Sequence, residues 1–253
     1  MSILAIKGLT QRFGGLVAVK ELDFEVEAGS IVAMIGPNGA GKSTVFNLVT
    51  GIYKPSEGEI AFNGAPIQGR STSAIAALGI ARTFQNIRLF AFMSTIDNVM
   101  TGRHARMHAT LADSLLNTPR ARKEEAVVRE RAHGILKFCG LDEHVHSYAA
   151  NLAYGPQRRL EIARALASDP KLLLLDEPAA GMNPNEKQDL VELIRRIRDT
   201  GVTVFLIEHD MGLVMKISER IAVLDYGEKI AEGPPEAIRA NERVIEAYLG
   251  KPA

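Results

Sequence analysis

Hydrophobic residues follow two different patterns along this chain, and the patterns predict two kinds of strand. Three short runs are apolar and are followed by polar residues or glycine: residues 31–35, 172–175 and 202–207. Continuous runs of this length are typical of strands buried on both faces of a parallel sheet. By contrast, Leu22, Phe24 and Val26 alternate with acidic residues, as expected for a strand with one exposed face. The chain is therefore predicted to combine a buried parallel sheet with a half-exposed layer.

Helix and turn signals lie between these strands. One helix is predicted over residues 43–49, and another begins at Asn183-Pro184. Asn63-Gly64 and Tyr226-Gly227 are expected to form tight turns between short antiparallel strands. These signals predict an α/β core with an antiparallel layer at its N-terminal side.

The stretch from about residue 90 to residue 166 interrupts this alternation. Ser94 followed by Asp97 is typical of a helix start, and a long helical pattern covers residues 121–138. We therefore expect a helical subdomain inserted into the α/β core. Leu89 and Phe90 lie at its edge, and we expect this apolar pair to be exposed as a docking surface for a partner.

Composition narrows the class of protein. The 253 residues include 30 Lys and Arg and 30 Asp and Glu, and this zero net charge argues against nucleic acid as the main partner. The single cysteine, Cys139, cannot form an internal disulfide and fits a reducing compartment. We see no signal peptide, and no apolar stretch approaches the length of roughly 18 to 20 residues that a membrane span needs. The expectation is a soluble, cytoplasmic protein that meets any membrane through a partner.

The strongest chemical signal directly follows the first buried strand. The segment is Gly36-Pro37-Asn38-Gly39-Ala40-Gly41-Lys42-Ser43-Thr44, which matches the phosphate-binding pattern G-x-x-x-x-G-K-[ST]. Glycines let consecutive backbone N–H groups converge on a phosphate, and the following helix adds its positive end. Lys42 can reach the β- and γ-phosphates, and the Ser43 hydroxyl can ligate Mg²⁺. The segment predicts binding of a nucleoside triphosphate with Mg²⁺.

Two carboxylates end a second buried strand. Asp176 and Glu177 follow the run at 172–175, which places Asp176 at the edge of the sheet next to the phosphate loop. There Asp176 can hold Mg²⁺ through water, and Glu177 can polarise a water for attack on the γ-phosphate. The predicted reaction is hydrolysis of the nucleotide.

A segment between these two motifs resembles a known family. Residues 151–159 read Asn-Leu-Ala-Tyr-Gly-Pro-Gln-Arg-Arg and resemble the signature segment of ATP-binding-cassette (ABC) transporter ATPases. The resemblance implies a P-loop NTPase core of the RecA-like kind, built from the layers described above. It also implies that the signature residues contact the nucleotide held by an opposite ATPase subunit: Leu152, Ala153, Tyr154 and Gly155.

Four further positions resemble that family in the right order. Phe13 looks like the aromatic residue that stacks on adenine, and Gln85 looks like the glutamine that touches Mg²⁺ and the transmembrane partner. Asn183 sits where the dimer-contact loop should be, and His209 ends a strand as the switch histidine does. The resemblance thus covers essentially the whole chain, 1–253, as a single ATPase domain with a helical insert at about 90–166 and a C-terminal helical tail at 234–253.

Three stretches resemble the ATPases of branched-chain amino acid importers: residues 115–120, 176–184 and 244–250. The tail also looks like ATPases of lipopolysaccharide export, so that alternative stays open. A soluble ABC ATPase acting on nucleic acid and a P-loop kinase are further alternatives. Family membership implies ATP and Mg²⁺ as cofactors, a second ATPase subunit, transmembrane permeases and, indirectly, an external solute-binding protein. It places the chain on the cytoplasmic face of the plasma membrane as a peripheral subunit.

Three residues depart from the family pattern. Ala153 replaces the signature serine, Pro156 replaces the usual glutamine, and Asn183 replaces an aspartate. The half-site that this chain would donate to a partner looks weakened, whereas its own phosphate loop, Asp176, Glu177 and His209 are intact. We therefore expect a heterodimer with a related ATPase, in which the two nucleotide sites are unequal.

Overall fold

The strands of the computed structural model form two sheets. Residues 1–107, 113 and 118–249 are described. The ten strands in this part of the chain are β1 (Ser2–Phe13), β2 (Leu16–Glu27), β3 (Ile31–Ile35), β4 (Glu57–Phe62), β5 (Ala65–Pro66), β6 (Ile80–Arg82), β7 (Leu172–Asp176), β8 (Thr203–Ile207), β9 (Arg220–Asp225) and β10 (Glu228–Gly233).

The larger sheet has the order β10-β9-β3-β8-β7-β6. Neighbouring strands are parallel except for β10, which pairs antiparallel with β9. Every residue of β3, β7 and β8 is buried, as the three apolar runs predicted. Successive side chains of β3 enter different cores: Ile31 and Ile35 face one hydrophobic cluster, and Val32 and Met34 face another. The sheet is therefore covered on both faces.

The smaller sheet is antiparallel and has the order β2-β1-β4-β5. Leu22, Phe24 and Val26 of β2 are buried while the acidic residues between them are exposed, which confirms the alternation read from the sequence. Both predicted turns are present, between β4 and β5 and between β9 and β10. The architecture is therefore the mixed α/β fold with an antiparallel layer that the sequence indicated.

The helices in the described residues are α1 (Lys42–Val49), α2 (Thr72–Leu78), α3 (Thr95–Gly102), α4 (Pro119–Phe138), α5 (Tyr154–Leu166), α6 (Pro184–Asp199), α7 (Met211–Ile217), α8 (Pro235–Arg239) and α9 (Glu242–Leu249). Ser94 caps α3 by accepting from the Asp97 N–H at 3.2 Å. Asn183 caps α6 in a reciprocal capping box with Glu186. Within the described residues, no helix combines the length and the apolar character needed to span a membrane.

Helices α3, α4 and α5 contact one another in the region predicted as a helical insert. The prediction that Leu89 and Phe90 are both exposed at the edge of this insert is only half right. Phe90 is 51% exposed, but Leu89 packs against the larger hydrophobic core. Phe92, which the sequence analysis did not single out, is 90% exposed. The resemblance noted at 115–117 and at residue 250 lies outside the described residues.

Candidate nucleotide site

The phosphate loop joins the end of β3 to the start of α1. Gly41 directly precedes α1 with φ of +101°, in the left-handed region. A Cβ atom there would lie 2.3 Å from the Ala18 carbonyl oxygen of β2. Only glycine fits such a close backbone approach. The loop is therefore packed directly on the antiparallel sheet.

Lys42 lies inside this loop and is only 7% exposed. Its ammonium donates to the carbonyl oxygens of Gly36 at 2.7 Å and Pro37 at 2.8 Å. Burial lowers the pKa of Lys42, and the nearby carboxylates of Glu177 and Asp176 act in the opposite direction. A partly desolvated cation within a ring of backbone groups is well suited to a phosphate anion.

Asp176 ends β7 and forms a buried ion pair that the sequence analysis missed. Its Oδ2 accepts from the Arg82 guanidinium at 2.8 Å, and the two side chains are 6% and 8% exposed. Arg82 ends the neighbouring strand β6 and also donates to Asn47 Oδ1 at 2.7 Å and Thr50 Oγ1 at 3.3 Å. The guanidinium thus ties β6 and β7 to the C-terminal end of α1, the helix that follows the phosphate loop.

Glu177 follows Asp176 with φ of +45°, which is strained for a residue with a side chain. Its Oε2 accepts from Gln85 Nε2 at 2.9 Å and lies 3.5 Å from His209 Nδ1. The structure therefore brings together three side chains that the sequence analysis selected separately.

A buried carboxylate, Glu208, fixes the two loops that carry this group. Glu208 is fully buried and accepts from the backbone N–H groups of Ala179 at 2.8 Å, His209 at 3.1 Å and Asp210 at 3.4 Å. Burial raises the pKa of Glu208, and these N–H donors partly oppose the shift. The loop after Glu177 is in this way tied to the loop of His209.

The loop containing Gln85 is held by helix α5. Arg158 donates to the Phe84 carbonyl at 2.8 Å and also to the Gln85 carbonyl. Glu161 accepts from the Phe84 N–H at 3.3 Å and pairs with Arg158 at 3.3 Å. Both side chains are buried, and burial raises the pKa of Glu161. The position of Gln85 therefore depends on α5.

A pocket of about 500 Å³ opens over the phosphate loop. Its lining residues are Phe13, Leu16, Val17, Ala18, Asn38, Gly39, Ala40, Gly41, Lys42, Ser43, Thr44, Gln85, Glu177 and Tyr226. Phe13 is 41% exposed, and its ring meets the ring of Tyr53 edge to face with centroids 5.2 Å apart. Tyr53 thus supports the aromatic residue that the resemblance selected, a role that the sequence analysis did not assign.

The signature residues do not line this pocket. Ala153 is the N-cap of α5 without a side-chain hydrogen bond, and Pro156 lies in the first turn, where its missing N–H breaks no helical bond. Gly155 packs against the start of α6, because a Cβ there would lie 2.5 Å from Glu186 Oε1. Asn183, at the same contact, caps α6 by accepting from the backbone N–H groups of Asn185 and Glu186 at 3.0 Å. In a single chain these residues form a separate surface.

The remaining predicted residues lie around the pocket without lining it. The carbonyls of Gly36 and Pro37 accept from Lys42. Asp176 pairs with Arg82, and His209 lies 3.5 Å from Glu177. In the described part of the chain, no group of three or more His, Cys, Asp or Glu side chains could hold a metal ion by itself. The oxygen donors of Ser43, Gln85 and Asp176 suit Mg²⁺, which usually binds through few carboxylates together with substrate phosphates.

These elements define a nucleotide-binding cassette, and the family comparison agrees. The family model described as ABC transporter matches residues 19–180. The chain belongs to the ABC transporter family and is an ATP-hydrolysing subunit of that family. A second model, described as branched-chain amino acid ATP-binding cassette transporter, matches residues 228–253.

Two curated relatives extend over nearly the whole chain. The high-affinity branched-chain amino acid transport ATP-binding protein LivG of Salmonella typhimurium is 48% identical, with 98% of each chain covered. The BraF protein of Pseudomonas aeruginosa, which carries the same description, is 49% identical over the same shares. A solved ATP-binding cassette of an ABC transporter in its ADP conformation has a TM-score of 0.87 and 31% identity, covering 99% of this chain and all of its own.

Proposed function

We propose that this protein hydrolyses ATP to power the import of branched-chain amino acids. The observation that carries the proposal is the similarity to LivG and BraF over 98% of the chain, together with the branched-chain family match in the tail. That tail includes α8 and α9, which pack near β10 and are part of the folded domain. We propose that the whole chain is one ATPase domain, with a helical subdomain at about 90–166 and a helical tail at 234–253.

The geometry over the phosphate loop supports the following catalytic roles. Lys42 binds the β- and γ-phosphates, Glu177 orients the attacking water, and His209 contacts the γ-phosphate. Gln85 and Glu177 already share a hydrogen bond of 2.9 Å, so a movement of the Gln85 loop alters the surroundings of Glu177. Ser43, Gln85 and Asp176 would hold Mg²⁺, which would neutralise charge on the phosphates.

A second ATPase subunit completes each nucleotide site. The surface formed by the start of α5 and the start of α6 lies apart from this chain's own pocket, which suits contact with the nucleotide of a partner. Ala153 offers no hydroxyl there, so the donated half-site is the weaker one. We therefore propose a heterodimer with a related ATPase.

The heterodimer proposal is tested by measuring mass in solution. Purified Glu177→Gln protein with ATP should stay monomeric alone and should dimerise when the second ATPase is added. A tight homodimer with both sites equally occupied would contradict unequal partners.

The permease docks at the cleft beside the helical subdomain. This cleft has a volume of about 600 Å³ and includes Arg82, Phe84, Leu89 and Phe90 among its lining residues. Phe90 lines the cleft and is half exposed, and Phe92, two residues further along the chain, is exposed as well. Both rings supply apolar contact area. Docking there places the chain against the cytoplasmic face of the membrane as a peripheral subunit, with the solute-binding protein acting from outside.

The docking surface is tested in the assembled complex. Phe90→Ala/Phe92→Ala should reduce transport while ATP hydrolysis by the isolated chain is unchanged. Val127→Ala is a matched control, because Val127 is 55% exposed on α4. If the double variant and the control transported equally well, the permease would have to dock on a surface that does not include Phe90 and Phe92.

The substrate is tested by reconstituting the chain with its permeases and binding protein in vesicles. ATP-dependent uptake of leucine, isoleucine and valine is expected, and excess unlabelled leucine should compete while glutamate should not. A complex with Glu177→Gln should show no uptake. Uptake that is insensitive to all three branched-chain amino acids would overturn the assignment.

A further inference from the structure

An exposed aromatic ring lies at the nucleotide pocket without an assigned role. Tyr226 is 88% exposed, yet it lines the same pocket of about 500 Å³ as Phe13 and the phosphate loop. A tyrosine ring combines a large apolar face with a polar hydroxyl, and both can contact a ligand that enters the pocket. The ring is therefore open to a ligand bound in this pocket and is not held by packing within the chain.

The backbone at Tyr226 supplies a second reason. Tyr226 and Gly227 form the two-residue turn between β9 and β10 with φ of +43° and +83°. Asn63 and Gly64 form the equivalent turn between β4 and β5 with φ of +49° and +76°. Asn-Gly is the favoured pair for such turns, whereas a tyrosine in the left-handed region is strained. Asparagine would adopt this backbone conformation with less strain than tyrosine does. The requirements of the turn therefore do not explain why a tyrosine occupies this position.

The turn is also fixed relative to the phosphate loop. The Gly227 N–H donates to the Ala40 carbonyl of that loop at 3.1 Å, and the Gly227 carbonyl accepts from the Lys20 N–H at 2.9 Å. A Cβ at Gly227 would lie 2.9 Å from the Ala18 carbonyl oxygen, so the turn sits tightly on β2. The turn that carries Tyr226 is therefore fixed to both the phosphate loop and β2.

We propose that Tyr226 is a second aromatic contact, besides Phe13, for the nucleoside part of the bound nucleotide. The proposal rests on the nucleotide site proposed above and adds a specificity-determining residue to it. The phosphate loop recognises phosphates of any nucleotide, whereas an aromatic face adds affinity only when a base or ribose is present. The strained backbone of Tyr226 fits this role, because residues held in unfavourable backbone conformations cluster at ligand-binding sites.

The test compares ADP with pyrophosphate, because both present two phosphates and only ADP carries a nucleoside. Calorimetric titrations use the wild-type protein, Tyr226→Asn and Tyr226→Phe. Asparagine removes the ring and gives the turn the residue found at Asn63, so folding is preserved. Phenylalanine keeps the aromatic face and serves as the matched control.

We expect Tyr226→Asn to bind ADP about five- to tenfold more weakly, at the lower end of the range for base–aromatic stacking because the site is open. Pyrophosphate affinity should be unchanged, Tyr226→Phe should resemble the wild type, and the Tm of Tyr226→Asn without nucleotide should be equal or higher. Unchanged ADP affinity would overturn the proposal, as would an equal loss for ADP and pyrophosphate. Weaker self-association with unchanged ADP affinity would also overturn it and assign the ring to a protein contact. If the wild-type protein bound neither ADP nor pyrophosphate, that result would contradict the proposed nucleotide site itself and not only the role of Tyr226.

Discussion

Replacing Arg82 by methionine would leave the Asp176 carboxylate buried without its charged partner. The two side chains are 8% and 6% exposed, and their atoms lie 2.8 Å apart. Removing one member of a buried ion pair costs about 3–5 kcal/mol, because the remaining charge stays desolvated. Arg82 also donates to Asn47 and Thr50, so both acceptors lose a bond. We expect a loss of about 4 kcal/mol, a large share of the roughly 5–15 kcal/mol that stabilises a domain.

The assay is urea unfolding at pH 7 without nucleotide or Mg²⁺, so that only the ion pair is probed. Adding Asp176→Leu to Arg82→Met removes the stranded carboxylate, and the double variant should be more stable than Arg82→Met alone. Arg82→Lys keeps the charge but cannot bridge all three acceptors, so it should fall between wild type and Arg82→Met. A loss below about 1 kcal/mol for Arg82→Met, or a double variant less stable than it, would refute this account of the ion pair.

Three further predictions concern catalysis, pH and helix capping. Glu177→Gln should lower steady-state ATP hydrolysis by about 10² to 10⁴ with ATP binding intact, whereas Lys42→Ala should weaken binding itself in a fluorescent-nucleotide titration. The Lys187 hydrogen bond lowers the pKa of Asp210. This pair stabilises the native state above about pH 4 by up to roughly 1 kcal/mol and loses its effect as the pH falls through that lowered pKa. The Tm difference between wild type and Lys187→Met should therefore shrink steadily as the pH is lowered below about 4. Ala153→Ser should gain about 1 kcal/mol in urea unfolding, because α5 lacks a side-chain cap; no gain would argue against a free N-cap there.

The parts of this structure that were predictable from sequence depend on local signals. The buried strands β3, β7 and β8 follow from apolar runs, and both tight turns follow from their residue pairs. The start of α6 follows from Asn183-Pro184. In each case the residues that carry the signal are the ones that form the feature, so no knowledge of distant contacts was needed.

The buried polar contacts were not predictable in this way. Arg82 and Asp176 are separated by 94 positions, and Arg158 is 74 positions from the Phe84 carbonyl that it contacts. A charged residue in a short segment is more often exposed than buried, so sequence alone gives no reason to bury these groups. Leu89 shows the opposite error, because an apolar residue beside a predicted helix can pack on either side of the loop. Only the fold decides which side it takes.

Helix α5 connects the surface proposed to contact the second ATPase with the Gln85 loop beside this chain's own nucleotide pocket. It begins at the signature residues, where Gly155 packs on Glu186, and it carries the buried pair Arg158 and Glu161 that holds the Gln85 loop. Breaking contacts of a buried charge costs several kcal/mol, whereas moving the helix together with the loop leaves those contacts intact. A permease that displaces the Gln85 loop should therefore move α5 as a rigid element, and with it the surface offered to the second ATPase. The same displacement acts on Glu177 through its hydrogen bond to Gln85. The proposed docking at the cleft is thus physically linked both to Glu177, the proposed catalytic carboxylate, and to the half-site proposed for the second ATPase.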